Sequence, residues 1–106
     1  MYIIYCSNGI YDFSSYFPLK AFYSKDMAEV KMKELKSEHH EKRFFIDYIK
    51  FNASNAAEVS ILSRTSGSHT YAIEAFETKR KARKQLNTVY PDVSGIRIDC
   101  VSITKP

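Results

Sequence analysis

The sequence predicts an α+β fold: two tandem β-β-α-β repeats, residues 1–53 and 54–106, forming one antiparallel sheet with two helices on one face about a pseudo-twofold axis. Three observations lead there. Ala21-Phe22-Tyr23-Ser24-Lys25-Asp26-Met27-Ala28 is matched, fifty-four residues on, by Ala75-Phe76-Glu77-Thr78-Lys79-Arg80-Lys81-Ala82. The match resumes after a two-residue deletion, where Ile46-Asp47-Tyr48-Ile49-Lys50-Phe51 lines up in type with Ile98-Asp99-Cys100-Val101-Ser102-Ile103. In both halves the order of anchor, helix and strand is the same. Repeated supersecondary units bury their apolar faces against each other. A half of about fifty residues buries too little surface alone, so one domain with a shared core is expected.

Residues 2–6 are β-branched and aromatic, hence a strand, and Ser7-Asn8-Gly9 supplies residues suited to a tight turn. Residues 10–13 fit either a return strand or a longer connection; the second strand is placed at 16–22. There Pro18, which cannot donate to a ladder, implies an edge or bulged position. Ser24 stands where an N-cap belongs, and Ala28, Met32 and Leu35 follow at helical spacing, so the first helix spans about 25–38. Residues 37–43 lack apolar periodicity, and the aromatic run 44–51 is a strand.

The second half repeats the plan with a strand at 58–63, a turn at 64–68 and a strand at 69–76. Thr78 caps a helix that runs to about residue 89, with Ala82, Leu86 and Val89 as its core stripe. Pro91 stops it, Gly95 closes a turn and residues 96–104 form the last strand. Residues 52–57 join the halves as a short connection.

Apolar residues make up 44% of the chain and charged residues 26%, which predicts a folded, soluble protein rather than a disordered one. No apolar run approaches a membrane span, and the chain enters residues 2–6 without a charged leader, so a cytoplasmic location and no membrane partner are expected. Cys6 and Cys100 are isolated, with no metal-ligand or disulfide spacing. Neither metal nor cofactor is expected.

The net charge of +4 is unevenly placed: eight basic residues stand against seven acidic ones in residues 1–53, and eight against five in 54–106. The excess concentrates in Lys79, Arg80, Lys81, Arg83 and Lys84, which sweep the side of the second helix opposite Ala82, Leu86 and Val89. Cations in a first turn oppose the helix dipole, so helix stability does not select them. They suit a phosphate at the free amides of the helix start, a nucleic-acid backbone, or an acidic protein surface. The plainer reading of such a run is a solvated face that keeps the protein soluble. The first helix differs in mixing signs, with Met27 and Val30 where the second carries Lys81 and Lys84.

Aromatic residues concentrate in the first half. Most read as core, while Tyr2, Tyr5, Tyr11 and Tyr16 are expected to be exposed and to form a contact surface, for a partner or for stacked bases. His39 and His40, beside Arg43, are the one place where acid-base chemistry on a phosphate is conceivable. Histidines at a helix C-terminus are, however, favoured by the dipole without any catalytic role. Asp47 and Asp99, at equivalent strand positions, read as repeated structural hydrogen-bond acceptors rather than a catalytic pair.

The small size and the richness in Tyr, Phe, Lys and Ile resemble small accessory proteins of bacteriophages. With no catalytic constellation, the expectation is a non-enzymatic binding protein, monomeric or homodimeric. It would be a phage-type inhibitor or regulator acting through the basic helix on a protein partner or nucleic-acid backbone. The alternatives are an RNA- or DNA-binding protein in its own right and a small His-dependent nuclease.

Overall fold

The computed structural model describes residues 1–9, 12–51, 56–67 and 69–104. Its elements are β1 (Tyr2–Gly9), β2 (Asp12–Phe22), α1 (Lys25–Glu38), β3 (Phe44–Tyr48), β4 (Glu58–Ser66), β5 (His69–Phe76), α2 (Lys79–Val89) and β6 (Ile96–Thr104). Six strands form one sheet in the order β3-β1-β2-β6-β4-β5.

The α+β class is as expected, but the sheet is mixed rather than antiparallel. β2 and β6 meet in parallel through Ala21↔Ile103 and Phe22↔Thr104, while the other strand pairs are antiparallel. That parallel junction is two residue pairs long. Away from it the strands part, so the sheet curls instead of lying flat under a helical layer.

The curl creates two cores. On β1, side chains alternate between faces: Ile3 and Tyr5 pack with Ala21, Val59, Ile61, Val101 and Ile103 on the concave side, where the two halves of the sheet meet. Ile4 and Cys6 point the other way and pack with Phe22, Phe44 and the α1 residues Ala28 and Leu35. α2 lies against β4, β5 and β6, with Ala82 fully buried; Ser60 and Leu62, out of phase with Val59 and Ile61, are buried too. Both helices therefore cover the convex side. Each fully buried Ile, Leu or Val contributes roughly 1.5–3 kcal/mol.

Side-chain bonds draw the outer strands β3 and β5 inward. Asp47 on β3 accepts from the backbone N–H of Ala72 on β5 at 2.9 Å, and its second oxygen accepts from Tyr48 N–H. Tyr16 N–H on β2 donates to Thr70 Oγ1 on β5 at 3.3 Å. Asp47 is thus the structural acceptor expected of it. Asp99 instead faces Arg97 at 3.4 Å.

Both helices begin and end where their caps and periodicity place them; the strands differ more. β1 and β2 form a longer hairpin than expected, with β2 starting at Asp12 rather than residue 16. Arg64, Thr65 and Ser66 continue β4 instead of turning, which leaves Gly67, at φ +63°, in the turn. β3 ends at Tyr48, with Ile49 N–H still donating to the carbonyl of Met1 at 2.9 Å in register with β1. Pro18 sits at a bulge: Ile4 pairs with Lys20 and Tyr5 with Pro18, skipping Leu19. β2 is an inner strand of the sheet, but Pro18 lies outside its two-residue ladder to β6.

Strand direction also orients the helices. The pairings Tyr2↔Phe22, Ser60↔Phe76 and Phe22↔Thr104 put the ends of β2 and β5 on the same rim of the sheet. Both helix N-termini, at Ser24 and Thr78, follow those ends.

Candidate functional site

α2 is anchored locally by few groups. Thr78 is extended, and its hydroxyl accepts from Lys81 N–H at 3.2 Å while its carbonyl accepts from Ala82 N–H. At the far end Tyr90 N–H donates to the Leu86 carbonyl before Pro91. Ala82 is the only α2 residue that is fully buried. Leu86 is half-buried and Val89 is 51% exposed, so the expected three-residue stripe narrows as the last turn overhangs the sheet.

Opposite Ala82, the side chains of Lys79, Arg80, Lys81, Arg83 and Lys84 are all exposed. Lys81 approaches Glu77 at 3.9 Å; among the described residues the other four meet no carboxylate within ion-pair distance. α1 behaves differently, pairing Lys25 with Glu29 at 3.9 Å and Lys31 with Glu34 at 3.5 Å. The α2 cations work against their own helix. Lys79/Arg83 and Arg80/Lys84 are like-charge i,i+4 pairs, each costing about 0.2–0.5 kcal/mol, and the first-turn cations face the positive end of the dipole. Eleven residues are also too few for a stable isolated helix, so packing through Ala82 holds the array in place.

The expected aromatic surface is not one surface. Tyr5 is fully buried: its ring stacks on Phe45 at 4.9 Å and 4°, and its hydroxyl shares a 2.6 Å hydrogen bond with Ser63. Tyr2 and Tyr5 are three residues apart on one strand and so occupy opposite faces. Tyr2 is half-buried against the exposed Tyr48, with ring centroids 5.0 Å apart. Tyr16 is half-buried with its ring edge-on to Phe45 at 4.9 Å, and Tyr11 lies outside the described residues.

The histidines lie where α1 ends and the chain leads into β3. His39 and His40 line a cavity of about 360 Å³ at the C-terminal end of α1, shared with Lys36, Lys42 and Arg43. Tyr16, Phe44 and Phe45 complete its wall. Lys42 and Arg43 stand beside the histidines in the sequence; Lys36 and the part of Tyr16 were missed, Tyr16 because it reaches this wall from β2, on the far side of β1 from β3. His39 Nδ1 lies 3.8 Å from Glu41.

Elsewhere, Arg64 lies beside Tyr71, Tyr90 and Ile96 around a smaller cavity of about 190 Å³, with its Nε buried and without a hydrogen-bond partner. Burial pushes the Tyr5 phenol far above its ordinary value and raises the Cys6 thiol. Among the described residues no helix is long and apolar enough to cross a membrane, and no group of three or more His, Cys, Asp or Glu could hold a metal ion. No family model, curated protein or solved structure matches the chain.

Proposed function

We propose that this chain is a small non-enzymatic macromolecule-binding protein, a phage-type inhibitor or regulator of a host system. It would work through the outer face of α2 on an acidic protein surface or a nucleic-acid backbone. The observation that carries this reading is the set of five exposed cations on α2, of which only Lys81 has an ion-pair partner among the described residues. Neighbouring repulsion and the helix dipole both oppose that arrangement, and a polyanion relieves both. At about 100° per residue the cations cover roughly 200° of the helix circumference. A convex array of that width suits a groove or cleft better than a flat surface, and a duplex major groove about 12 Å wide admits a helix.

The repeat belongs to the same reading. Like strand orders, β3-β1-β2 and β6-β4-β5, support a chain of two duplicated units in one domain. Like strands also run in the same direction, as a pseudo-twofold axis along the strands requires. On this reading the copies diverged in charge, α1 balancing its lysines with glutamates and α2 keeping its cations for a partner.

Fluorescence anisotropy with labelled duplex DNA, single-stranded DNA and single-stranded RNA separates the two partner classes. Engagement of four or five phosphates predicts that affinity falls by about 10²–10³ between 50 and 200 mM salt. Absence of binding to all three moves the partner to an acidic protein. A second reading, a nuclease, is favoured by one observation, that His39 and His40 line the same cavity as Arg43. Cleavage of the labelled RNA that disappears in His39→Ala, His40→Ala would establish it, and intact RNA would remove it.

A further inference from the structure

We propose that the cavity at the C-terminal end of α1 is a second binding site, separate from α2, for a nucleotide-sized phosphorylated ligand. Its volume of about 360 Å³ falls in the range of roughly 300–1,000 Å³ typical of small-molecule sites. Its wall is divided between two chemistries.

One side is cationic. Lys36 reaches it from the last turn of α1, and Lys42 and Arg43 from the segment leading into β3. Among the described residues no carboxylate lines the cavity, and neither Lys36 nor Lys42 has one within ion-pair distance. The dipole at a helix C-terminus accounts for Lys36, but it acts only within the last turn and does not account for Lys42. The same dipole would repel an anion with the equivalent of about half a negative charge, against the two positive charges of Lys36 and Lys42. The cations prevail.

The other side is aromatic and already fixed. Phe45 is held between the stacked ring of Tyr5 and the edge of Tyr16, each with centroids 4.9 Å away, and Phe44 is buried in the α1 core. These rings do not need to be ordered when a ligand arrives, which removes part of the entropic cost of binding. A planar base gains apolar contact with the parts of these rings that line the cavity. The His39 and His40 rings add hydrogen-bonding nitrogens at the rim. Inorganic phosphate would satisfy the cations and leave the rings bare, whereas a nucleoside would do the reverse. A ligand carrying both a phosphate and a planar base uses the whole wall.

Isothermal titration with adenosine, guanosine, cytidine and uridine 5′-diphosphates, with the nucleosides and pyrophosphate as fragments, tests this. At least one diphosphate is expected to bind tenfold or more tightly than its nucleoside and than pyrophosphate. Lys36→Gln with Lys42→Gln, the first exposed and the second half-buried, should weaken that binding at least tenfold with an unchanged melting temperature. Arg80→Glu with Arg83→Glu should leave it intact, which separates this site from the reading of α2. No binding of any diphosphate at millimolar concentration, pyrophosphate binding as tight as the nucleotide, or undiminished binding in the Lys36/Lys42 variant would each overturn the proposal.

Discussion

The phenol of Tyr5 and the hydroxyl of Ser63, fifty-eight residues apart in sequence, meet at 2.6 Å between the two halves of the curled sheet. Tyr5 is completely buried and Ser63 nearly so. With the Asp47–Ala72 and Tyr16–Thr70 contacts, this bond ties the first three strands to the last three. Tyr5→Phe keeps the ring but leaves Ser63 Oγ with a lost partner, a change expected to cost about 1–3 kcal/mol in urea unfolding. Adding Ser63→Ala should recover part of that loss. A double variant no more stable than Tyr5→Phe would show that the hydrogen bond is not the reason for the cost.

The same phenol predicts an alkaline limit. Burial raises its folded-state pKa above the ordinary value near 10, with the Ser63 bond opposing in part and the charges of Asp47 and Asp99 adding to the rise. A raised folded value means that stability is fully present below about pH 10 and declines above it, because there the unfolded chain sheds the proton first. The slope from this one group approaches about 1.4 kcal/mol per pH unit. Chemical unfolding at a series of pH values from 9 to 11 should show the decline in the wild type and a shallower one in Tyr5→Phe.

Two glycines with positive φ should respond differently to alanine. Gly95, at φ +81°, accepts from Thr65 N–H at 2.9 Å, and an added Cβ would stand 2.5 Å from the Thr65 carbonyl oxygen. Gly67, at φ +63°, has open space around it. Gly67→Ala carries only the left-handed backbone cost of about 1–2 kcal/mol, and Gly95→Ala adds a backbone collision at the β4–β6 seam. Thermal unfolding should rank the two variants in that order, with the larger drop in Tm for Gly95→Ala.

Arg64 offers a gain rather than a loss. Its buried Nε has no partner, and a buried unsatisfied donor costs about 1–3 kcal/mol. Arg64→Met keeps the stem against Tyr71 and Ile96 and removes the donor, so stability measured by urea unfolding should be unchanged or higher by about 1 kcal/mol. A marked loss would mean that the guanidinium is satisfied in solution.

Much of the fold was legible because its signals are local. Ser24 and Thr78 are both N-caps, accepting from Met27 and Lys81, and the helices span the residues that their spacing demands. The cations of α2 are exposed for the same reason, being opposite Ala82 on a 3.6-residue period. What escaped was non-local. Nothing near Ala21 or Ile103 announces that their strands pair in parallel, and from that junction follow the curl, the self-packed concave core and the reach of Asp47 to Ala72. The cavity at the end of α1 needs Tyr16 beside Lys42, twenty-six residues away. One error was avoidable, because the two-residue period of a strand already places Tyr2 and Tyr5 on opposite faces.

The central claim, that α2 is the polyanion-binding surface, is tested most directly by the salt concentration at which the protein leaves immobilised heparin. Three proteins are compared: wild type, Arg80→Glu with Arg83→Glu, and a control of equal charge change, Lys33→Glu with Lys50→Glu, whose sites are exposed and lie on α1 and just after β3. The account predicts a large fall in eluting salt for the α2 variant and a small one for the control. Equal falls in both would show that retention follows net charge alone, and the assignment of α2 would be wrong.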